Sequence, residues 1–142
     1  MTIFIGSDHA GYALKQEVIK LCKEFGEIKD VGCNSEESCD YPDYAHALAK
    51  ELKDNPESKG ILICGSGNGI SIAANKHQHV RAALCWTEEL AALAVQHNNA
   101  NVLSLPARFI NEDLALDIVR AFFNNQFEGG RHERRTNKIP VA

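Results

Sequence analysis

The sequence predicts an α/β chain whose doubly wound, mostly parallel five-stranded sheet carries helices on both faces. Three observations predict it. Short apolar runs alternate with segments of helical periodicity. Successive runs stand at the separation that right-handed crossovers need. The length, 142 residues, fits a single domain spanning 1–142.

The elements follow in order. Thr2–Ser7 is apolar and β-branched, a buried strand. From about Ala10 to Phe25 the residues Leu14, Val18, Leu21, Cys22 and Phe25 recur at helical spacing, and Gly26 stops that helix. Glu27–Val31 is a short strand and Gly32–Pro42 a polar loop. Tyr44–Lys53 is a second helix with Ala45, Leu48, Ala49 and Leu52 inside, ended by Asp54-Asn55-Pro56. Gly60–Cys64 reads as a central strand. Gly65–Gly69 is a glycine-rich turn, and Ile70–Lys76 is helical. Val80–Cys85 is another strand. Thr87 caps a helix to about Gln96, with Glu88 and Glu89 in its first turn. Asn101–Leu105 is the last strand. Asn111 caps a helix with Leu114, Ile118, Val119 and Phe122 inside, and a basic tail, Arg131–Lys138, follows Gly129-Gly130.

Composition narrows the function. Hydrophobic residues make up 44% and charged residues 24%, as in ordinary globular chains. Lys and Arg total 15 against 19 Asp and Glu, a formal charge of −4, which excludes a global electrostatic grip on nucleic acid. No apolar run approaches the roughly 20 residues of a membrane span. Met1–Gly6 lacks the pattern of a secretory leader. Five cysteines, at 22, 33, 39, 64 and 85, include no C-x-x-C pair, so reduced thiols and a cytoplasmic setting are expected.

In a doubly wound sheet ligands sit outside the carboxyl ends of strands. That places Asp8-His9, Gly65–Gly69 and the Thr87 region at the candidate site. Cys64-Gly65-Ser66-Gly67-Asn68-Gly69 lies between a strand and a helix, where glycines let backbone N–H groups converge on an anion. It is no dinucleotide fingerprint and no cysteine-phosphatase loop, because Ile70 stands where these need Gly or Arg; nor does it contain the Gly-Lys-Ser/Thr of a P-loop. A thiol beside a helix N-terminus gains thiolate character, so Cys64 is a candidate base or nucleophile, against its reading as a small buried hydrophobe. Cys22 on an apolar face fits the hydrophobe, and Cys33, Cys39 and Cys85 receive no role. Asp8-His9 reads equally as a cap with an exposed imidazole or as a polar ligand site. His97-Asn98-Asn99 taken alone reads as a helix C-terminus. His77-x-His79 offers too few ligands for a metal and reads as a solvated loop. Arg131 and Arg135 share a face if the tail is helical, a pairing that suits phosphate. A solvated tail is the plain alternative.

Five segments are together more telling than any one. Gly6-Ser7-Asp8-His9-Ala10-Gly11, Asp40-Tyr41-Pro42, Gly60–Lys76, His97–Leu103 and Glu128-Gly129-Gly130-Arg131-His132 resemble, in order and spacing, the ribose-5-phosphate isomerase type B family of sugar-phosphate isomerases. The resemblance runs along nearly the whole chain. It implies a Rossmann-like fold and an aldose-ketose isomerase of the pentose phosphate pathway, interconverting D-ribose 5-phosphate and D-ribulose 5-phosphate. It implies no metal and no organic cofactor. Some members carry a base Glu directly after Gly-Asn-Gly; here Ile70 stands there, and Cys64 places the chain in the branch with a cysteine base. In that branch Cys64 would move the proton through a cis-enediolate and His97 would open the sugar ring, with Asp8 and Tyr41 near the ring oxygen. Ser66 with Gly65, Gly67, Asn68 and Gly69 would cradle the enediolate. His9, Arg108, Arg131 and Arg135 would hold the phosphate, and Asn98 would contact sugar hydroxyls. The resemblance also implies a homodimer, or a tetramer of paired dimers, with the C-terminal tail serving a site at the dimer interface. Two other readings stay open on sequence alone. One is an isomerase of six-carbon sugar phosphates, and the other is a non-catalytic phosphate-binding module on the same fold.

Overall fold

The structure, a computed structural model, describes residues 1–141. Strand β1 (Thr2–Ser7) leads through a 3₁₀ turn (His9–Gly11) into α1 (Tyr12–Cys22) and β2 (Glu27–Gly32). Helix α2 (Tyr41–Asp54), β3 (Lys59–Cys64), α3 (Asn68–Ala74) and β4 (Ala82–Leu84) follow. The chain closes with α4 (Glu88–Asn98), β5 (Val102–Pro106), α5 (Glu112–Phe123) and α6 (Arg131–Thr136). The sheet order is β2-β1-β3-β5-β4, and every pairing is parallel.

Right-handed crossovers dictate the layers. The steps β1 to β2 and β4 to β5 travel one way across the sheet; the steps β2 to β3 and β3 to β4 travel the other. Helices α1, α4 and α5 accordingly pack on one face, and α2 and α3 on the opposite face. Side chains along each strand divide between two cores with period two. Ile3, Ile5, Ile61, Ile63, Leu103 and Leu105 join Val18, Val95, Ile118 and Phe122 on the first face. Phe4, Leu62, Cys64 and Val102 join Ala45, Leu48 and Ile70 on the second. The chain departs in opposite directions from the neighbouring strands β1 and β3, so their carboxyl ends open the crevice where such folds bind ligands.

Several boundaries differ from the sequence reading. Helix α2 begins at Tyr41 rather than Tyr44, with Pro42 in its first turn, where a missing N–H costs nothing. Helix α3 begins at Asn68, because Gly67 takes a left-handed φ of 74° that turns the chain directly out of the loop. Strand β4 keeps only three residues. Asn101 replaces ladder bonds at its start, accepting from Arg81 N–H at 2.7 Å and donating to the His79 carbonyl at 2.9 Å. Asn75 covers its free edge through both backbone groups of Ala82. The loop holding His77 and His79 is exposed at Asn75, Lys76 and Gln78, as expected, but its two imidazoles are half-buried. His79 Nε2 lies 2.7 Å from the Ala49 carbonyl, and His77 Nε2 lies 2.7 Å from His46 Nδ1, so both imidazoles tie the loop to α2. The basic tail is helical, and α6 packs against α4 of its own chain. Among the described residues no helix is long and apolar enough to cross a membrane.

Candidate active site

Asp8 ends β1. Its N–H donates to the Ile63 carbonyl at 3.2 Å, stitching the strand end to β3. Its Oδ1 accepts from Gly11 N–H at 3.1 Å, so it does cap the 3₁₀ turn. It also lies among the residues lining the cleft. His9 opens that turn. Its Nδ1 accepts from Cys39 N–H at 3.2 Å, which ties the ring to the loop before α2. With Nδ1 engaged as an acceptor, a neutral imidazole carries its proton on Nε2.

Cys64 ends β3 and is 4% exposed. Its carbonyl accepts from Ala107 N–H at 2.9 Å, and the Gly65 carbonyl accepts from Arg108 N–H at 2.9 Å. These bonds pin the turn after β5 onto the glycine loop. Gly67 could carry no side chain: a Cβ would stand 2.4 Å from Leu84 Cδ1, on a left-handed backbone. Its carbonyl accepts from the buried Ser104 hydroxyl at 2.8 Å. Ser66 Oγ accepts from Asn68 N–H at 3.2 Å, so this hydroxyl braces the loop. At Gly69 a Cβ would approach the Tyr41 ring to 2.6 Å, and the missing side chain is what seats Tyr41 against the loop.

Together Asp8, Tyr41, Cys64, Gly65, Ser66, Gly69, Arg108 and Phe109 line a cleft of about 420 Å³ at the carboxyl edge of the sheet. It offers a buried thiol, a carboxylate, a phenol, a guanidinium and a glycine-rich turn at a helix start. That set can bind an anion and move a proton. Position 70, where a carboxylate would be the competing base, is a fully buried Ile on the core side. Three other thiols are poorer candidates: burial pushes Cys22 and Cys85 up to about 12, and it also pushes Cys39 up. A larger hollow of about 600 Å³ lies between Met1 and Ser58, at the strand amino ends, and is lined by no thiol or imidazole.

The other expected site residues lie elsewhere in the chain. Helix α4 runs antiparallel to the strands, so its last residues, His97 and Asn98, reach the amino edge of the sheet, just before β5. Asn98 lines a separate hollow of about 350 Å³ with Asn75, Arg81 and Ile139. Arg131 and Arg135 sit on α6, packed against α4. One chain thus divides the expected constellation into a thiol-bearing half and an imidazole- and arginine-bearing half at opposite edges of the sheet.

Two features carried no strong sequence signal. Phe109 and Trp86, 76% and 53% exposed, form an apolar rim beside the cleft with Leu84 and Pro106. Glu128 and His132 gather around His97. Their only sequence mark was membership of the Glu128–His132 segment.

A family model described as Ribose/Galactose Isomerase matches residues 3–139. The ribose-5-phosphate isomerase B of Escherichia coli is 44% identical over 138 residues, covering 96% of this chain and 93% of that protein. The solved ribose-5-phosphate isomerase B of Clostridium thermocellum superposes with a TM-score of 0.95 at 47% identity, over 98% of this chain and 95% of that one. The ribose-5-phosphate isomerase B of Mycoplasma genitalium, solved with bound ribulose-5-phosphate, superposes with a TM-score of 0.92 at 46% identity, over 97% and 93% of the two chains.

Proposed function

The chain belongs to the ribose/galactose isomerase family, and we propose from this premise how its own residues perform the isomerisation. The reaction interconverts D-ribose 5-phosphate and D-ribulose 5-phosphate. Its central step removes a weakly acidic proton from C2, so it needs a base and a means of carrying negative charge on oxygen. The single observation that carries the assignment is Cys64, buried at the end of β3 in the 420 Å³ cleft, with Ile70 in place of any carboxylate beyond the glycine loop.

In this scheme the Cys64 thiolate takes the C2 proton and returns it to C1 through a cis-enediolate. Backbone N–H groups of Gly65, Gly67 and Gly69, with the Ser66 hydroxyl that the Asn68 N–H braces, stabilise the oxyanion; one such donor is typically worth about 3–4 kcal/mol of barrier. Asp8 and Tyr41 face the sugar ring. His9 and Arg108 bind the phosphate from the cleft's own chain. A second copy supplies His97, which gives a proton to the ring oxygen as the sugar opens, Asn98 for the hydroxyls, and Arg131 and Arg135 for the phosphate. Homodimerisation, or pairing of dimers, is supported by the split of the constellation between two sheet edges. The exposed Trp86 and Phe109 beside the cleft support it too. The scheme uses no metal or organic cofactor, and a phosphorylated substrate with reduced thiols suits the cytoplasm.

Purified enzyme assayed with ribose 5-phosphate, chelator present and six-carbon sugar phosphates alongside, tests the substrate. Cys64→Ala tests the base. Turnover should fall about a thousandfold, the roughly 4 kcal/mol that general-base catalysis supplies, with sugar-phosphate binding preserved. Turnover retained in Cys64→Ala rejects the thiol base.

A further inference from the structure

His97, Glu128 and His132 form a compact cluster of which the scheme above uses only His97. The two imidazoles stack with ring centroids 4.1 Å apart and planes within 10° of parallel. Glu128 Oε1 lies 3.7 Å from His97 Nε2 and 3.8 Å from His132 Nε2. The Glu128 N–H donates to the Gln96 carbonyl at 3.0 Å, so the carboxylate is tied to the last turn of α4, which carries His97. His132 is the more deeply set ring, its side chain 13% exposed against 38% for His97. The three donor atoms lie within 4.8 Å of one another, close enough to suggest a cation. Parallel rings, however, aim their Nε2 lone pairs side by side, whereas metal bonds of about 2.1 Å require them to converge. The arrangement suits holding a ring plane.

We propose that Glu128 and His132 are positioning residues for His97: the stack fixes its ring plane, and the carboxylate, tied to the last turn of α4, holds the ring edge that bears Nε2. The proposal rests on the reading of His97 as the acid that opens the sugar ring. The charged groups around the cluster are His97 from α4, Glu128 from the segment before α6, and Arg131 and Arg135 from α6. Burial pushes His132 below the usual imidazole range, with His97 and Arg131 adding to it and Glu128 opposing, so His132 stacks as a neutral ring.

Steady-state kinetics of the full chain test this. In Glu128→Ala kcat should fall several-fold while KM stays within about twofold, as for a residue acting through a catalytic group. His132→Phe, which restores a flat ring without charge, should recover most of the kcat lost in His132→Ala. An unchanged kcat in Glu128→Ala, or a His132→Phe no better than His132→Ala, overturns the proposal. His97→Asn, run in parallel, separates the two readings. Turnover retained there rejects the role of His97 itself, whereas a dead His97→Asn beside an unchanged Glu128→Ala rejects only the positioning.

Discussion

Lys15 is completely buried, and its ammonium is held by the Asp30 carboxylate at 2.8 Å and by the Cys33 carbonyl. Its ring neighbour is Tyr12, with Nζ 5.4 Å from the ring centroid. This contact joins α1 to the end of β2 and to the loop that leads to His9's partner, Cys39. The two halves of the pair are unequal, because the Asp30 side chain keeps 34% of its surface in water and the Lys15 side chain keeps none. Removing the carboxylate strands a buried charge; removing the ammonium leaves a carboxylate that water can still solvate. Asp30→Ala should therefore destabilise by about 3 kcal/mol and Lys15→Met by about 1 kcal/mol, read from urea unfolding midpoints. Equal losses would mean that Lys15 reaches solvent once its partner is gone. Nothing in the residue order announces this pair. A lysine in a helix reads as surface, and only packing against the β2 loop makes it a core residue.

Helix boundaries follow local rules where the cap is a side chain and depart from them where the cap is backbone. Asn111 and Thr87 were both legible, and each side chain accepts from the N–H three residues on, Leu114 at 2.8 Å and Leu90 at 3.1 Å. Asn111→Ala should cost about 1 kcal/mol of stability, the usual value of such a cap, without altering KM, because α5 lies on the face away from the cleft's glycine loop. A change in KM from this substitution would show that α5 positions the site. The start of α3 was legible only in part. Gly67 marked a turn, but its left-handed φ and the close approach of Leu84 fix the helix start two residues earlier than periodicity does. Strand β4 was overestimated for a similar reason. Its apolar run continues, but Asn101 and Asn75 take the backbone groups that a longer ladder would use.

At the scale of the molecule, the direction of α4 matters most. A helix that returns between parallel strands must end at their amino edge, so α4 carries His97 to the edge opposite its own chain's cleft, and the proposed scheme draws this imidazole from a second copy. Mixing therefore gives a clear expectation. Under the proposed scheme Cys64→Ala and His97→Asn should each be inactive alone, and should regain about a quarter of wild-type activity when co-expressed at equal levels. Half of randomly paired dimers are mixed, and one of the two symmetric sites in each is intact. No recovery in mixtures shown to contain mixed dimers would place both residues in a single chain's site.

The sequence by itself determined the strand and helix alternation, the two-sided sheet, the glycine loop after β3 and, through segments in register, the family. These features are local or periodic, and period and turn chemistry are written in the order of residues. Tertiary structure alone decided that β5 inserts between β3 and β4, that Lys15 is buried, that His77 and His79 grip α2, and that Glu128 and His132 enclose His97. Each of these depends on which distant segments meet, and such meetings are set by the summed packing of two cores.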